Sequence, residues 1–196
     1  RCNPGVERVI RRLRANSIGE LVSATSRRVS QWPERIGDVG VVKDYAIHDI
    51  DLMRYIFNED PKAVFAKAGR LKHTRFEDYA QIMLTFSQGK TAFIETNWLT
   101  PYRLRKLILT GNKGIMTLDY LTQEITIETE KETFIPRFKW EEPLKRELNH
   151  FVECIAKNKK PSVDGLDGLK ALIICEAVLK SAVKGKSINL EKTLNM

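Results

Sequence analysis

Six short segments with the composition of β-strands follow one another between residues 63 and 129. They are AVFAKAGRL, YAQIMLTF, KTAFIETNWL, RKLILTG, IMTLDY and EITIET. Two of the links between them, SQGK and GNKG, are tight and contain glycine, which is typical of hairpins between antiparallel strands. In TAFIETNW, apolar and small residues alternate with Phe93, Glu95 and Asn97, so one face of the sheet should be packed and the other open.

Helical patterns lie on both sides of this strand series. NPGVERVIRRLRAN predicts a first helix, IGELVSATSRRV a strand, and the region from about Lys43 to Phe57 a second helix. PLKRELNHFVECIAKN, with its apolar residues in one stripe, and GLKALIICEAVLKSAVKG predict two closing helices. Strands in a run, rather than in alternation with helices, predict an α+β fold: an open-faced, mostly antiparallel sheet with helices packed on one face.

The composition is typical of a soluble globular protein, with 196 residues of which 42% are hydrophobic and 30% charged. The formal net charge of +8 favours anionic partners. Its densest cluster, RVIRRLR, is interpreted as a solvated helix face rather than as a nucleic-acid site. We predict a cytoplasmic protein without a membrane partner, because the three cysteines form no C-x-x-C pair and no signal peptide or membrane-length apolar run occurs.

The stretch VVKDYAIHDIDLMRY carries chemistry on the second helix. On an ideal helix Asp44, His48, Asp51 and Tyr55 fall within roughly 60° of one another. One interpretation is a capped helix with an ordinary histidine, and another is a metal site of the phosphohydrolase type, for which the chain offers few further ligands. The third is acid–base work on an alcohol or carbonyl, in which the imidazole exchanges a proton and a carboxylate one turn away orients it and raises its pKa.

The same stretch resembles the substrate domain of the glucose–fructose oxidoreductase / inositol dehydrogenase (Gfo/Idh/MocA) family, in which an Asp-x-x-x-His motif opens a helix. NWLTPYRLRKLILTGNKGIMTLDY and the two closing helices resemble later segments of that family, so the resemblance covers essentially residues 1–196. It implies that these residues are one substrate-binding and oligomerisation domain, the C-terminal half of a dehydrogenase. The family's N-terminal Rossmann domain is implied to lie outside this chain, because no G-x-G turn and no Glu-Lys-Pro motif occur here.

Carried over by position, the resemblance implies that Asp44 and His48 are catalytic, beside the reacting carbon of a sugar. SRRVSQWPERIGDVG resembles the loop of members that oxidise UDP-linked amino sugars, and guanidinium groups suit a diphosphate. Arg27 and Arg28 face opposite ways on a strand, and Arg28 is the one expected to point to the site. Structural pairing is expected for Tyr55, and a core position for Trp98. The predicted substrate-binding residues are Arg28, Arg35, Trp32, Asp51 and Asn97.

The prediction is therefore the C-terminal domain of an oxidoreductase that oxidises a hydroxyl of a sugar or sugar nucleotide, with a UDP-linked amino sugar preferred. Hydride would pass to NAD or NADP, held mainly by a domain outside this chain, so the isolated chain is expected to be inactive. A homodimer or homotetramer through the open sheet face is expected. The alternatives are a non-catalytic sugar-binding or assembly domain and, more remotely, a metal-dependent phosphohydrolase.

Overall fold

The computed structural model describes residues 1–34 and 38–194 of the chain. The strands are β1 (Leu21–Val29), β2 (Ala63–Gly69), β3 (Tyr79–Thr85), β4 (Thr91–Asn97), β5 (Leu104–Gly111), β6 (Gly114–Asp119), β7 (Ile125–Thr129), β8 (Thr133–Phe134) and β9 (Ile188–Asn189). The helices are α1 (Pro4–Arg14), α2 (Ile47–Phe57), α3 (Pro143–Ala156), α4 (Gly165–Lys184) and α5 (Glu191–Leu194). A π-helical turn (Val42–Ala46) leads into α2, and a 3-10 turn (Ser87–Gly89) joins β3 to β4.

All nine strands form one sheet in the order β8-β7-β6-β5-β1-β4-β3-β2-β9. Every neighbouring pair is antiparallel except β1 and β4, which are parallel. The predicted α+β fold and all six predicted strands of the series are confirmed. The two-residue strands at the edges were not predicted, because they are too short to show a period.

The sheet is packed on one face only. In β4, Ala92, Ile94 and Thr96 are buried, whereas Phe93 between them is 44% exposed. Helices α1, α2 and α4 lie against the packed face, where their apolar residues join the same core as those of the strands. The predicted alternation is confirmed. No helix of the described residues covers the second face of the sheet, so the side chains that point to that face are at least partly exposed.

The entry to α2 departs from an ideal helix. The turn at Val42–Ala46 is π-helical, so it holds more residues than an α-turn, and π-turns are often found at functional sites. Its first amides are capped from a distance: Glu77 accepts the Val41 N–H with its carbonyl and the Val42 N–H with Oε1, at 3.0 and 3.1 Å. Gly40 permits this approach, because a Cβ there would lie 2.1 Å from Glu77 Oε1.

Helix α3 turns its apolar stripe to solvent. The stripe that the sequence predicts is present, but its residues are between 56% and 68% exposed: Leu144, Leu148, Phe151, Val152 and Ile155. The inward side carries polar groups instead, where His150 accepts the Ser162 N–H at 3.0 Å and lies 3.5 Å from the Cys154 sulfur. The prediction that the helices pack on the sheet is therefore wrong for α3.

The basic cluster of α1 is partly packed rather than wholly solvated. The Arg8 guanidinium lies 4.2 Å from the ring centroid of Phe138, and that of Arg12 lies 5.1 Å from the ring of Phe134. Two of its arginines thus hold β8 and the segment that follows it against the helix. The three cysteines are free thiols. None of the helices in the described ranges has both the length and the apolar content needed to cross a membrane.

Candidate functional site

A pocket of about 560 Å³ opens beside His48. Its wall is the start of α2, and its floor comes from the ends of β1, β5 and β6, which carry Arg28, Arg105 and Tyr120. Its rim is the segment that leads into α3, where the Trp140 Nε1–H donates to the Leu121 carbonyl at 3.1 Å. The pocket is polar and of a size that suits a small-molecule ligand.

His48 is accessible from the pocket, yet its surroundings disfavour a positive charge. Removal of solvent by the surrounding protein, and next the guanidinium of Arg28, hold the pKa of His48 below its ordinary value. Asp49 and Asp44 act in the opposite direction and do not prevail. The carboxylate of Asp44, one turn away, does act to raise this pKa as expected, but burial and Arg28 lower it by more. A neutral imidazole at pH 7 can accept a proton from a hydroxyl group.

Asp44 lies in the π-helical turn, one turn before His48. It is partly buried and is not among the residues that line the pocket. Its charge nevertheless reaches the imidazole, since it favours the protonated form of His48. Its place therefore suits orientation of His48 better than contact with a ligand in the pocket, and its catalytic role stays a prediction.

Arg28 lies on the pocket side of β1, as predicted, and a buried aspartate holds it there. Its Nε–H donates to Asp49 Oδ2 at 2.5 Å, while Asp49 Oδ1 accepts the Ser26 hydroxyl at 2.7 Å. Burial lowers the pKa of Arg28, but Asp49 more than offsets this, so the pKa is raised. Arg27 faces the open side of the sheet and pairs with Glu95 at 2.9 Å.

Asp49 is a residue that the sequence reasoning missed. On an ideal helix it lies away from the face of Asp44, His48 and Asp51, so helical periodicity does not place it in the site. It is fully buried beneath the sheet-facing side of α2. The sequence could have indicated this pair, because a carboxylate on the packed face of a helix needs a cationic partner, and Arg28 was already expected to point to the site.

Asp51 and Tyr55 belong to an ion-pair network beside the pocket. The Arg1 Nη2 donates to Asp51 Oδ1 at 2.6 Å and to Asp167 Oδ1 at 2.8 Å, and Arg54 joins the same two carboxylates. The Tyr55 ring lies 5.0 Å beneath the Arg1 guanidinium, so the structural pairing predicted for it is present. Because the Asp51 oxygens are engaged in these pairs, its substrate contact stays a prediction without support from the geometry.

Trp32 and Asn97 lie in a second location. Trp32 packs edge-on against buried Trp98, with centroids 5.7 Å apart, and lines a pocket of about 390 Å³ that is separate from that of His48. The Asn97 Oδ1 accepts the N–H groups of Leu99 and Thr100, at 3.0 and 3.1 Å, and so holds a turn. The structure does not bring either residue to His48, and Arg35 lies outside the described residues. The core position predicted for Trp98 is confirmed.

Two arginines that were not predicted do line the His48 pocket. Arg103 immediately precedes β5, and Arg105 lies in β5 on the same side of the strand as the buried Leu107 and Leu109. The sequence contains a sign of this in RLRKLIL (residues 103–109), because the arginines occur at every second position in line with the apolar residues of the packed face. Among residues 1–34 and 38–194, no group of three or more His, Cys, Asp or Glu side chains could hold a metal ion.

Residues 6–117 match the family model of the GFO/IDH/MocA C-terminal domain. The chain is 26% identical over 170 residues to the myo-inositol 2-dehydrogenase of Thermotoga maritima, which covers 79% of this chain and 50% of that protein. It spans about half the length of the curated relatives it matches.

Solved structures show the same fold. The chain is similar to an oxidoreductase from Agrobacterium radiobacter in complex with NAD⁺, L-tartaric acid and magnesium, with a TM-score of 0.83, 20% identity, and coverage of 98% of this chain and 63% of that chain. It is also similar to the UDP-N-acetylglucosamine 3-dehydrogenase of Acidithiobacillus ferrooxidans, with a TM-score of 0.80, 22% identity, and coverage of 91% and 60%.

Proposed function

Because the chain belongs to the Gfo/Idh/MocA family of oxidoreductases and matches the C-terminal domain of that family, we propose that it is the substrate domain of an NAD- or NADP-dependent dehydrogenase. The reaction would oxidise a hydroxyl group of a sugar, a related polyol or a sugar nucleotide. The observation that carries the proposal is the position of His48 at the wall of a polar pocket, where burial and Arg28 lower the pKa of its imidazole.

His48 would accept the proton of the hydroxyl group as the carbon is oxidised, and Asp44 would orient the imidazole. Arg28, held by Asp49, would oppose a lasting positive charge on His48 and favour the negative charge that develops on the substrate oxygen. The nicotinamide group supplies the hydride acceptor when it is bound. In the reverse direction the same imidazole would return the proton.

The residues of this chain fit the substrate side of such a site better than the nucleotide side. The sequence has no G-x-G turn, and among the described strands only β1 and β4 run parallel, so a nucleotide-binding crevice of the usual kind is not formed. We therefore propose that the cofactor is held mainly by an N-terminal Rossmann domain outside this chain. This chain would contribute the pocket to which the reacting end of the cofactor comes.

The outward apolar stripe of α3 supports such a domain. It begins at Leu144, which lines the His48 pocket, and continues along the helix through Leu148 to Ile155. A domain that brings a cofactor to His48 must border this pocket, so it would meet the rim and the stripe together. Contiguous apolar surface of this kind commonly marks an interface.

The open sheet face supports the proposed homodimer or homotetramer. One row of side chains crosses six neighbouring strands by direct register: Phe65, Met83, Phe93, Thr25, Ile108 and Thr117. The next row carries the Arg27–Glu95 pair. An apolar row beside paired charges is a surface that a second copy of the chain can cover.

The finer proposal is a UDP-linked amino sugar as substrate. It rests on the arginines of the pocket, because guanidinium groups suit a diphosphate. The dehydrogenase of Acidithiobacillus ferrooxidans with the same fold is described as acting on such a sugar nucleotide. The phosphohydrolase alternative finds no support in the matched family.

The test is turnover by the protein expressed together with its upstream coding sequence. NADH or NADPH formation would be followed with myo-inositol, free sugars, sugar acids and UDP-N-acetylglucosamine. We expect His48→Gln to lower kcat by about 100-fold or more while the folded structure and cofactor binding remain. His150→Gln, at a histidine beside Cys154 on α3, is the matched control. Turnover that His48→Gln leaves unchanged would remove His48 from the proton transfer, whereas no turnover of any of these compounds would favour the non-catalytic binding domain.

A further inference from the structure

The charges that line the His48 pocket are unbalanced. Four arginines and two glutamates border it, in addition to the histidine. Both glutamates stand at the rim, and Glu142 Oε1 is engaged as the cap of α3, where it accepts the Leu144 N–H at 3.3 Å. Two of the arginines, Arg1 and Arg28, already have carboxylate partners outside the pocket.

The other two arginines have no ion pair within the described ranges. Arg103 is exposed to the pocket, and Arg105 is half-buried below it, near the Tyr45 ring. The Arg105 Nε is buried and lacks a hydrogen-bond partner among the described residues. A buried guanidinium N–H without an acceptor costs free energy, which an acceptor supplied by a ligand would recover.

Electrostatics separate these two arginines from the paired ones. Burial, then Arg28 and then Arg103, lower the pKa of Arg105, whereas the pKa values of Arg1 and Arg28 are raised by their carboxylates. The groups that face Arg105 are thus of like charge, with Tyr45 as a weak partner. The guanidinium stays protonated at neutral pH, so this side of the pocket presents uncompensated positive charge.

We propose that Arg103 and Arg105 form an oxyanion-binding subsite of the His48 pocket, so that the substrate carries a phosphate, diphosphate or carboxylate group. Both side chains line the same pocket, and the charge of Arg103 acts on Arg105, so one anionic group there can accept N–H groups from both. Arg28 stays with Asp49 and orders the floor between this subsite and His48. The inference rests on the proposed function, because it assigns the anionic group to the substrate of that same site.

The test is anion binding by the 196-residue chain, measured by calorimetry at low ionic strength. The probes are inorganic pyrophosphate, UDP, L-tartrate and neutral myo-inositol. We expect at least one anion to bind, and Arg105→Gln and Arg103→Gln each to weaken it by about tenfold or more. The matched control is Arg27→Gln, on the open face of the neighbouring strand, which should leave the dissociation constant unchanged.

The arms of the experiment separate the sources of the anion. Pyrophosphate and UDP binding without tartrate binding identifies a sugar nucleotide or sugar phosphate, and tartrate binding alone identifies a sugar acid. Arg105→Lys keeps the charge and should retain part of the affinity, which guards against a variant that simply misfolds. The absence of anion binding by the unaltered chain, or binding that both glutamine variants retain, overturns the proposal.

The same measurements keep this inference apart from the proposed function. His48→Gln should lower kcat in the longer protein by about 100-fold or more and leave anion binding by this chain intact. Arginine-dependent anion binding in a protein that oxidises none of the test compounds would sustain the subsite and defeat the dehydrogenase. Turnover of myo-inositol without any anion binding would do the reverse.

Discussion

At the scale of single residues, the site is set by how buried charges are paired. Asp49 is fully buried and is matched by Arg28, so the charge of Arg28 is fixed close to His48. That charge and the loss of solvent outweigh the two aspartates that favour protonation of His48. The raising effect of a nearby carboxylate could be expected from the sequence, whereas the larger lowering effects of burial and Arg28 depend on the fold.

The pKa of His48 should therefore be measurable below 6.5 in the folded chain. Below about pH 6.5 the unfolded chain binds a proton at this position that the folded chain does not. Folding stability should thus fall as the pH drops from 6.5 towards the lowered pKa, and His48→Gln should remove this part of the pH dependence. NMR titration, with the same variant to assign the resonance, and urea unfolding at several pH values measure both effects. A pKa above 6.5 would contradict the prediction.

At the scale of elements, the beginning of the second helix depends on a contact from the loop before β3. The Glu77 carboxylate and carbonyl accept the first amides of the π-helical turn. Gly40 is the residue that lets Glu77 come close. The π-helical turn that carries Asp44 and leads to His48 is therefore held by a long-range cap that no local motif predicts.

Replacing Gly40 with alanine should disturb this cap. The new Cβ would lie 2.1 Å from Glu77 Oε1, so the carboxylate must move and the Val42 N–H loses its acceptor. We expect a loss of about 1–2 kcal/mol in the free energy of unfolding, the usual cost of losing a helix cap. Gly168→Ala in α4 is the matched control, because its Cβ would meet nothing within 4 Å. That variant should gain about 0.5–1 kcal/mol, since alanine favours the helix, and an unchanged stability for Gly40→Ala would exclude the cap.

At the scale of the whole molecule, two of the exposed apolar surfaces formed by the described residues differ in character. One is the flat row across the open sheet face, and the other is the stripe along α3. The two lie on different elements, so a second copy on the sheet would leave α3 free. This is the arrangement expected if one surface serves self-association and the other the nucleotide-binding domain.

The two surfaces can be separated by one pair of substitutions. Phe93→Glu places a charge in the middle of the sheet row and should convert a dimer or tetramer of this chain to a monomer in sedimentation experiments. Leu148→Glu, of the same chemistry on α3, should leave the oligomer intact. Both residues are exposed, so neither variant should unfold the chain. An assembly that survives Phe93→Glu but not Leu148→Glu would place the self-association surface on α3.

The sequence by itself determined the fold class, the six strands of the series and the helix that carries His48, because these depend on local periodicity and turn chemistry. Alternation along β1 also told Arg28 from Arg27. Only the tertiary structure decided which residues line the pocket of His48. Arg103 and Arg105, more than fifty residues further along the chain, line it, whereas Trp32 and Asn97 lie elsewhere.

The physical reason is that a period shows which residues share a face but not which faces meet. The helix of Asp44 and His48 was treated as ideal, and a π-helical turn with a distant cap changed its start. The apolar stripe of α3 is present as predicted, yet the direction in which it faces depends on what packs against the helix. Within the described residues, the polar side of α3 makes contacts, such as that between His150 and Ser162, whereas the apolar stripe is exposed. Pairing of buried charge, as between Arg28 and Asp49, is likewise settled only once the elements are in contact.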